Sequence, residues 1–170
     1  LWMDYLRKKH TEAGSAGRRT PAIATEVPTY DRFPVNALNR GFGWLPIEIG
    51  ADGQPDLDRL EAYAKNKVID GAYLIPEGQN PTGNTYTAET RARIAEIAST
   101  HGLQVLYDAA YWNLTYHGRI NDVVQDPPEN VTWSFNNTKE KGPGFKHAHL
   151  IIPPGTEAAF DNLVANSRLN

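Results

Sequence analysis

The stretch Gly71–Asp108, GAYLIPEGQNPTGNTYTAETRARIAEIASTHGLQVLYD, reads as a strand, a helix and a second strand in immediate succession. GAYLI (71–75) is nearly all apolar, as a strand buried on both faces must be. PEGQNPTG follows it with the Pro, Gly and Asn residues from which turns are made. From Thr87, the segment AETRARIAEIASTHG places Ile94, Ala95, Ile97 and Ala98 on one helical stripe and offers Gly102 as its stop. LQVLY (103–107) is again strand-like, and Asp108 ends it. Helices alternating with apolar strands imply a largely parallel sheet covered on both faces.

The same alternation extends outward in both directions. Toward the start, WLPIEI (44–49) and AIATEV (22–27) are candidate strands, with a helix from Asp31 to about Asn39 between them. ADGQP turns the chain before a helix that Asp56 can cap and that carries Leu57, Leu60 and Ala64 on one face. LWMDYLRKKH reads as an amphipathic helix whose RKKH end is solvated, and Thr11 to Pro21 reads as a loop. Toward the end, VTWSF (131–135) and HAHLII (147–152) are strands, and Thr156 is placed to cap a final helix. The expected fold is a three-layer α/β/α arrangement with a mostly parallel sheet, in one domain spanning residues 1–170. In such sheets, ligands sit beyond the carboxyl ends of the strands.

Composition narrows the classes of function. A chain of 170 residues with 40% apolar and 22% charged residues suits one globular domain. A net charge of -3 offers no broad basic surface, so neither nucleic acid nor an anionic membrane is expected as partner. With no cysteine, the chain has no disulfide, thiolate metal site or cysteine nucleophile, and a cytosolic (cytoplasmic) setting is the simplest expectation. Three Asn-x-Ser/Thr sequons, at Asn113, Asn130 and Asn136, fit chance occurrence. His147 and His149 share a strand face but lack an evident third ligand, so ordinary packing is preferred to metal binding. Trp112 reads as core.

Three segments that follow strands carry candidate chemistry. Asn80-Pro81-Thr82-Gly83 follows the 71–75 strand, and Asp108 with Tyr111 follows the 103–107 strand. SFNNTKEKGPGFKHAH (134–149) follows the 131–135 strand and holds Lys139, Lys141 and Lys146. Singly, each has a bland explanation as a turn, a cap or a solvated loop. Their order and spacing at strand ends set them apart.

As a set they resemble the fold type I, aspartate aminotransferase-like enzymes that use pyridoxal phosphate, and the resemblance runs from about Pro28 onward. It implies that Lys139 carries the cofactor as an internal aldimine, that Asp108 pairs with the pyridine nitrogen, and that Asn80 and Tyr111 hydrogen-bond the phenolic oxygen. Tyr30, in VPTYDR, falls where relatives stack an aromatic on the ring, and Thr138 and Lys146 fall where relatives hold the phosphate. Asn136 stands where relatives usually have serine, Lys146 where they have arginine, and Ala148 where they have glycine, which marks a divergent branch. The resemblance further implies a cis bond between Asn80 and Pro81, amino acid and 2-oxo acid substrates, and a homodimer at full length.

The chemistry suits these residue types. Imine formation needs a neutral amine, for which a desolvated lysine among other cations is the usual choice. A carboxylate beside the pyridine nitrogen keeps it protonated and so makes the ring an electron sink. The expected chain is the central part of a large domain, with the small domain and the preceding segment elsewhere and the segment alone inactive. A lyase or oxidase on the same fold would use the same lysine and aspartate, and a ligand-sensing domain of a transcription regulator would use the fold without turnover.

Overall fold

The computed structural model describes residues 1–15, 17–112, 114, 128–136, 139, 142 and 148–167, the last without its side chain. Its elements run α1 (Trp2–Glu12), β1 (Ala22–Val27), α2 (Arg32–Asn39), β2 (Gly43–Glu48), α3 (Leu57–Lys65), β3 (Gly71–Leu74), α4 (Ala88–His101), β4 (Gln104–Asp108), β5 (Val131–Asn136), β6 (Ala148–Ile151) and α5 (Glu157–Ser167). The strands form one sheet in the order β2-β1-β3-β4-β5-β6. Neighbours from β2 to β5 are parallel, and β6 runs antiparallel to β5.

Alternation along the strands divides the core into two layers. Ala72, Leu74, Val105 and Tyr107 point to the face covered by Leu60 and Ala64 of α3 and by Ile94, Ile97 and Ala98 of α4. Tyr73, Ile75 and Leu106 point to the opposite face, covered by Trp2, Tyr5 and Leu6 of α1, Phe33 and Ala37 of α2 and Phe160 of α5. The three-layer α/β/α expectation therefore holds. The expected cap at Asp56 forms, accepting the Arg59 backbone N–H at 2.9 Å, and Thr87 caps α4 by accepting that of Thr90 at 3.1 Å. Gly102 takes the left-handed conformation at φ 65°, which ends α4 at little steric cost.

Two local expectations need correction. Thr11 and Glu12 belong to α1, so the connecting loop begins later than Thr11. The RKKH end is not simply solvated: His10 is 4% exposed and pairs with Asp70 at 2.7 Å, while Arg7 lies over the Phe42 ring and donates to the Arg40 carbonyl. Thr156 directly precedes α5; its carbonyl accepts the Phe160 N–H at 3.2 Å and its hydroxyl donates to the Pro153 carbonyl at 2.6 Å.

The chain reverses its direction of sheet growth at β1, since β2 lies on one side of it and β3 on the other. β1 is therefore the point of reversal at which doubly wound sheets place their ligands, beyond the carboxyl ends of the strands.

Candidate active site at the strand ends

The loop after β3 is held by side chains from within the fold. Gln79, 1% exposed, donates through Nε2 to the Pro28 carbonyl at 2.7 Å. Its Oε1 accepts from the Thr82 backbone N–H at 3.0 Å and from the Thr82 hydroxyl at 2.7 Å. Beneath it, the fully buried Glu26 of β1 accepts the Ile75 backbone N–H at 3.0 Å and the hydroxyl of Tyr86. Burial pushes the Glu26 carboxyl up to about 7 although three hydrogen bonds pull it back, those from Tyr86, Ile75 and Gln79. Glu77 is also buried and meets Arg91 of α4 at 2.9 Å, so burial raises its carboxyl while Arg91 opposes the rise. The Asn80–Pro81 bond is cis, as expected, and Val27–Pro28 is cis as well.

Clamped in this way, the loop presents Asn80 to the segment that follows β4. Asn80 Nδ2 donates to the Tyr111 hydroxyl at 3.4 Å. Gly78 explains the close approach: it sits at φ +53°, and a Cβ there would meet Tyr111 Cβ at 3.2 Å. Lys139 Nζ lies 5.3 Å from the centroid of the Tyr111 ring.

Asp108, at the end of β4, accepts the Tyr73 hydroxyl on Oδ2 at 2.5 Å and the Ala110 backbone N–H on Oδ1 at 3.2 Å. Burial raises its carboxyl above the ordinary value, while the Tyr73 and Ala110 bonds and the charge of Lys139 act in the opposite direction. At the end of β5, Asn136 keeps a buried Oδ1 with no hydrogen-bond partner among the described residues.

Asn80, Asp108, Tyr111 and Lys139, singled out by sequence, are thus brought to one end of the sheet. Asn136 ends the strand next to that of Asp108, and Tyr30 lies 38% exposed in the loop after β1. Thr138, Lys141, Lys146 and His147 lie outside the described residues. Trp112 packs against the core, its ring edge-on to Phe135. Sequence reasoning missed Glu26, Tyr73, Glu77 and Gln79. A signal existed for Glu26, an acid inside the otherwise uncharged run AIATEV.

Pyridoxal phosphate fits this donor set. Asp108 offers a fixed carboxylate to a pyridinium N–H, Asn80 and Tyr111 offer hydrogen-bonding groups side by side, and Lys139 supplies an amine. The family model described as aspartate amino-transferase matches residues 5–132. The chain belongs to this family. A 2-aminoadipate transaminase of Thermus thermophilus is 38% identical over 157 residues, covering 89% of this chain and 38% of that protein. An uncharacterised HTH-type transcriptional regulator of Bacillus subtilis is 31% identical over 131 residues, covering 77% of this chain and 28% of the regulator. Among solved structures, an α-aminoadipate aminotransferase of Thermus thermophilus, complexed with N-(5′-phosphopyridoxyl)-L-leucine, matches with a TM-score of 0.70 and 26% identity over 87% of this chain and 38% of that one. This member of the aspartate aminotransferase family spans about a third of the length of the curated relatives it matches.

Proposed function

We propose that this chain is the cofactor-binding core of a pyridoxal phosphate-dependent aminotransferase that passes an amino group from an amino acid to a 2-oxo acid. The observation that carries the reading is the convergence of Asp108, Asn80, Tyr111 and Lys139 at the carboxyl ends of β3, β4 and β5. When bound, the cofactor supplies an electron sink for the bonding pair left on the substrate's α-carbon.

The protein residues then have separate tasks. Lys139 Nζ would hold the cofactor through its amine and, when free, would act as the base that takes a proton from the substrate's α-carbon and returns it. Asp108 holds a proton on the ring nitrogen, because a buried carboxylate gains far more from a cationic partner than an exposed one does. Asn80 and Tyr111 would hydrogen-bond the cofactor's phenolic oxygen, and Tyr30 would lie against its ring. Thr138 and Lys146 are assigned to the phosphate, and Asn136 to the cofactor through its amide N–H donors. The remainder of a full-length homodimer would supply the groups that choose the substrate.

The test is borohydride reduction of the full-length holoenzyme followed by peptide mapping. A pyridoxyl adduct on Lys139 is expected, and one on Lys141 or Lys146 would overturn the assignment. A second reading, a ligand-sensing module, is favoured by the likeness to the regulator. Turnover of an amino acid with a 2-oxo acid would exclude it, since a sensor needs binding without transfer.

A further inference from the structure

We infer that Tyr73 is a positioning residue that holds the Asp108 carboxylate ionised and aimed at the cofactor ring nitrogen, an inference that rests on the aminotransferase reading above. Tyr73 lies on β3 opposite Leu106 of β4, so the strand register sets it beside the residue two further along, Asp108. Its hydroxyl meets Asp108 Oδ2 at 2.5 Å, within the range for hydrogen bonds to an ionised oxygen. The other oxygen is already held by the Ala110 backbone N–H at 3.2 Å. One oxygen is thus held from the sheet by Tyr73 and the other by the loop that follows β4, and the group cannot rotate without breaking a bond.

The phenol is well suited to the task. The ring is 3% exposed and stacks on Phe33 of α2, with centroids 3.6 Å apart and planes 9° from parallel. It has no room to swing away. Burial, then the negative charge of Asp108, pushes the phenol's pKa well above its ordinary value, with Glu26 and Tyr30 adding in the same direction. Tyr73 therefore remains a donor at every pH at which the protein works. Burial of Asp108 favours its neutral form, and among the groups that oppose this preference the Tyr73 hydroxyl is the largest, although burial still prevails. Lys139 helps by its charge, but under the proposed reaction it is engaged elsewhere, whereas Tyr73 is not consumed.

The test removes only the hydroxyl. In the full-length enzyme, Tyr73→Phe keeps the ring on Phe33, so a thermal melt near that of the wild type is expected. Affinity is then compared for pyridoxal phosphate and for 1-deazapyridoxal phosphate, which has carbon in place of the ring nitrogen. Loss of a hydrogen bond to a charged group should weaken pyridoxal phosphate by about tenfold and lower kcat at nearly constant KM. The deaza analogue should bind to within about twofold of wild type, because it has no N–H for Asp108 to meet. In an Asp108→Asn background, the same hydroxyl deletion should change cofactor affinity by less than about twofold. Equal losses for both ligands would show a merely structural hydroxyl and overturn the proposal. If instead wild type and Asp108→Asn both fail to distinguish the two ligands, the assignment of Asp108 falls, and the proposal falls with it.

Discussion

Asp108 and Lys139 stood out in the chain by their order and spacing at strand ends, and the structure brings both to the same end of the sheet; the roles proposed for them come from the family resemblance. A ring nitrogen that must stay protonated calls for a carboxylate, and an aldehyde calls for an amine. Tyr73 and Glu26 were not legible in the same way. Each is a polar residue in an apolar strand, and its value appears only when register sets it beside a partner, Asp108 for one and Ile75 with Tyr86 for the other. His10 lies between the two cases. It follows Trp2 and Leu6 at a spacing of four, on the buried stripe of α1, so the periodicity that defined the helix also placed His10 inside. Reading its cationic neighbours as a solvated block hid that signal. At this scale, Asp108→Asn should leave the full-length enzyme able to take up cofactor at high concentration but reduce kcat by orders of magnitude. The neutral amide no longer retains the ring proton, and electrostatic contributions of this kind are worth several kcal/mol. Steady-state kinetics on cofactor-saturated protein measure it, and near-normal turnover would remove Asp108 from the reaction.

Among elements, the strands and helices were legible because each carries both a periodic pattern and a stop signal. The caps Asp56 and Thr87 sit where side-chain chemistry places them. The antiparallel direction of β6 was not legible, since a short strand reads the same way in either direction and only its pairing with β5 decides. Close packing between elements is also invisible in a linear pattern. Gly71 opens β3 where α1 crosses the sheet, and a Cβ there would meet the Gln104 carbonyl oxygen at 2.8 Å, Trp2 Cη2 at 2.9 Å and Leu6 Cδ2 at 3.0 Å. One of these is backbone of the neighbouring strand and two are rings or branches of a packed helix, so none yields easily. Gly71→Ala should therefore lower stability by roughly 1–3 kcal/mol, the usual cost of overpacking, despite alanine's better backbone entropy. Urea denaturation of the full-length protein would show it as a reduced midpoint. An unchanged midpoint would mean that α1 can lift from the sheet at no cost.

For the molecule as a whole, buried carboxyls set opposing dependences on pH. Asp70 is held by Arg19 at 2.6 Å and by His10 at 2.7 Å. Burial alone would raise its carboxyl, but these bonds and the Ala22 N–H outweigh burial and keep it below the ordinary range. A depressed carboxyl contributes stability above its unfolded pKa and loses it as pH falls through the folded value. Glu26 has the opposite sign. Its folded value of about 7 exceeds the ordinary 4.5, so its contribution is fully present below about 4.5 and is lost as pH rises through about 7. Glu77 and Asp108 are raised too and act in the same sense as Glu26. Asp70 thus guards the acid side while three acids near the candidate site erode stability toward neutrality. The molecule should be most stable in weakly acidic solution. Glu26 alone should account for a decline of up to about 3 kcal/mol between about pH 4.5 and pH 7, since each tenfold change in proton affinity is worth roughly 1.4 kcal/mol. Chemical denaturation of the full-length protein across that range is the measurement, with Glu26→Gln as the comparison. The amide cannot titrate, so its curve should lie lower where Glu26 is protonated and lose less as pH rises. A wild-type curve that climbs steadily to pH 7, parallel to that of Glu26→Gln, would show that Glu26 is already charged in the folded protein and that its partners, Tyr86, Ile75 and Gln79, fully offset its burial.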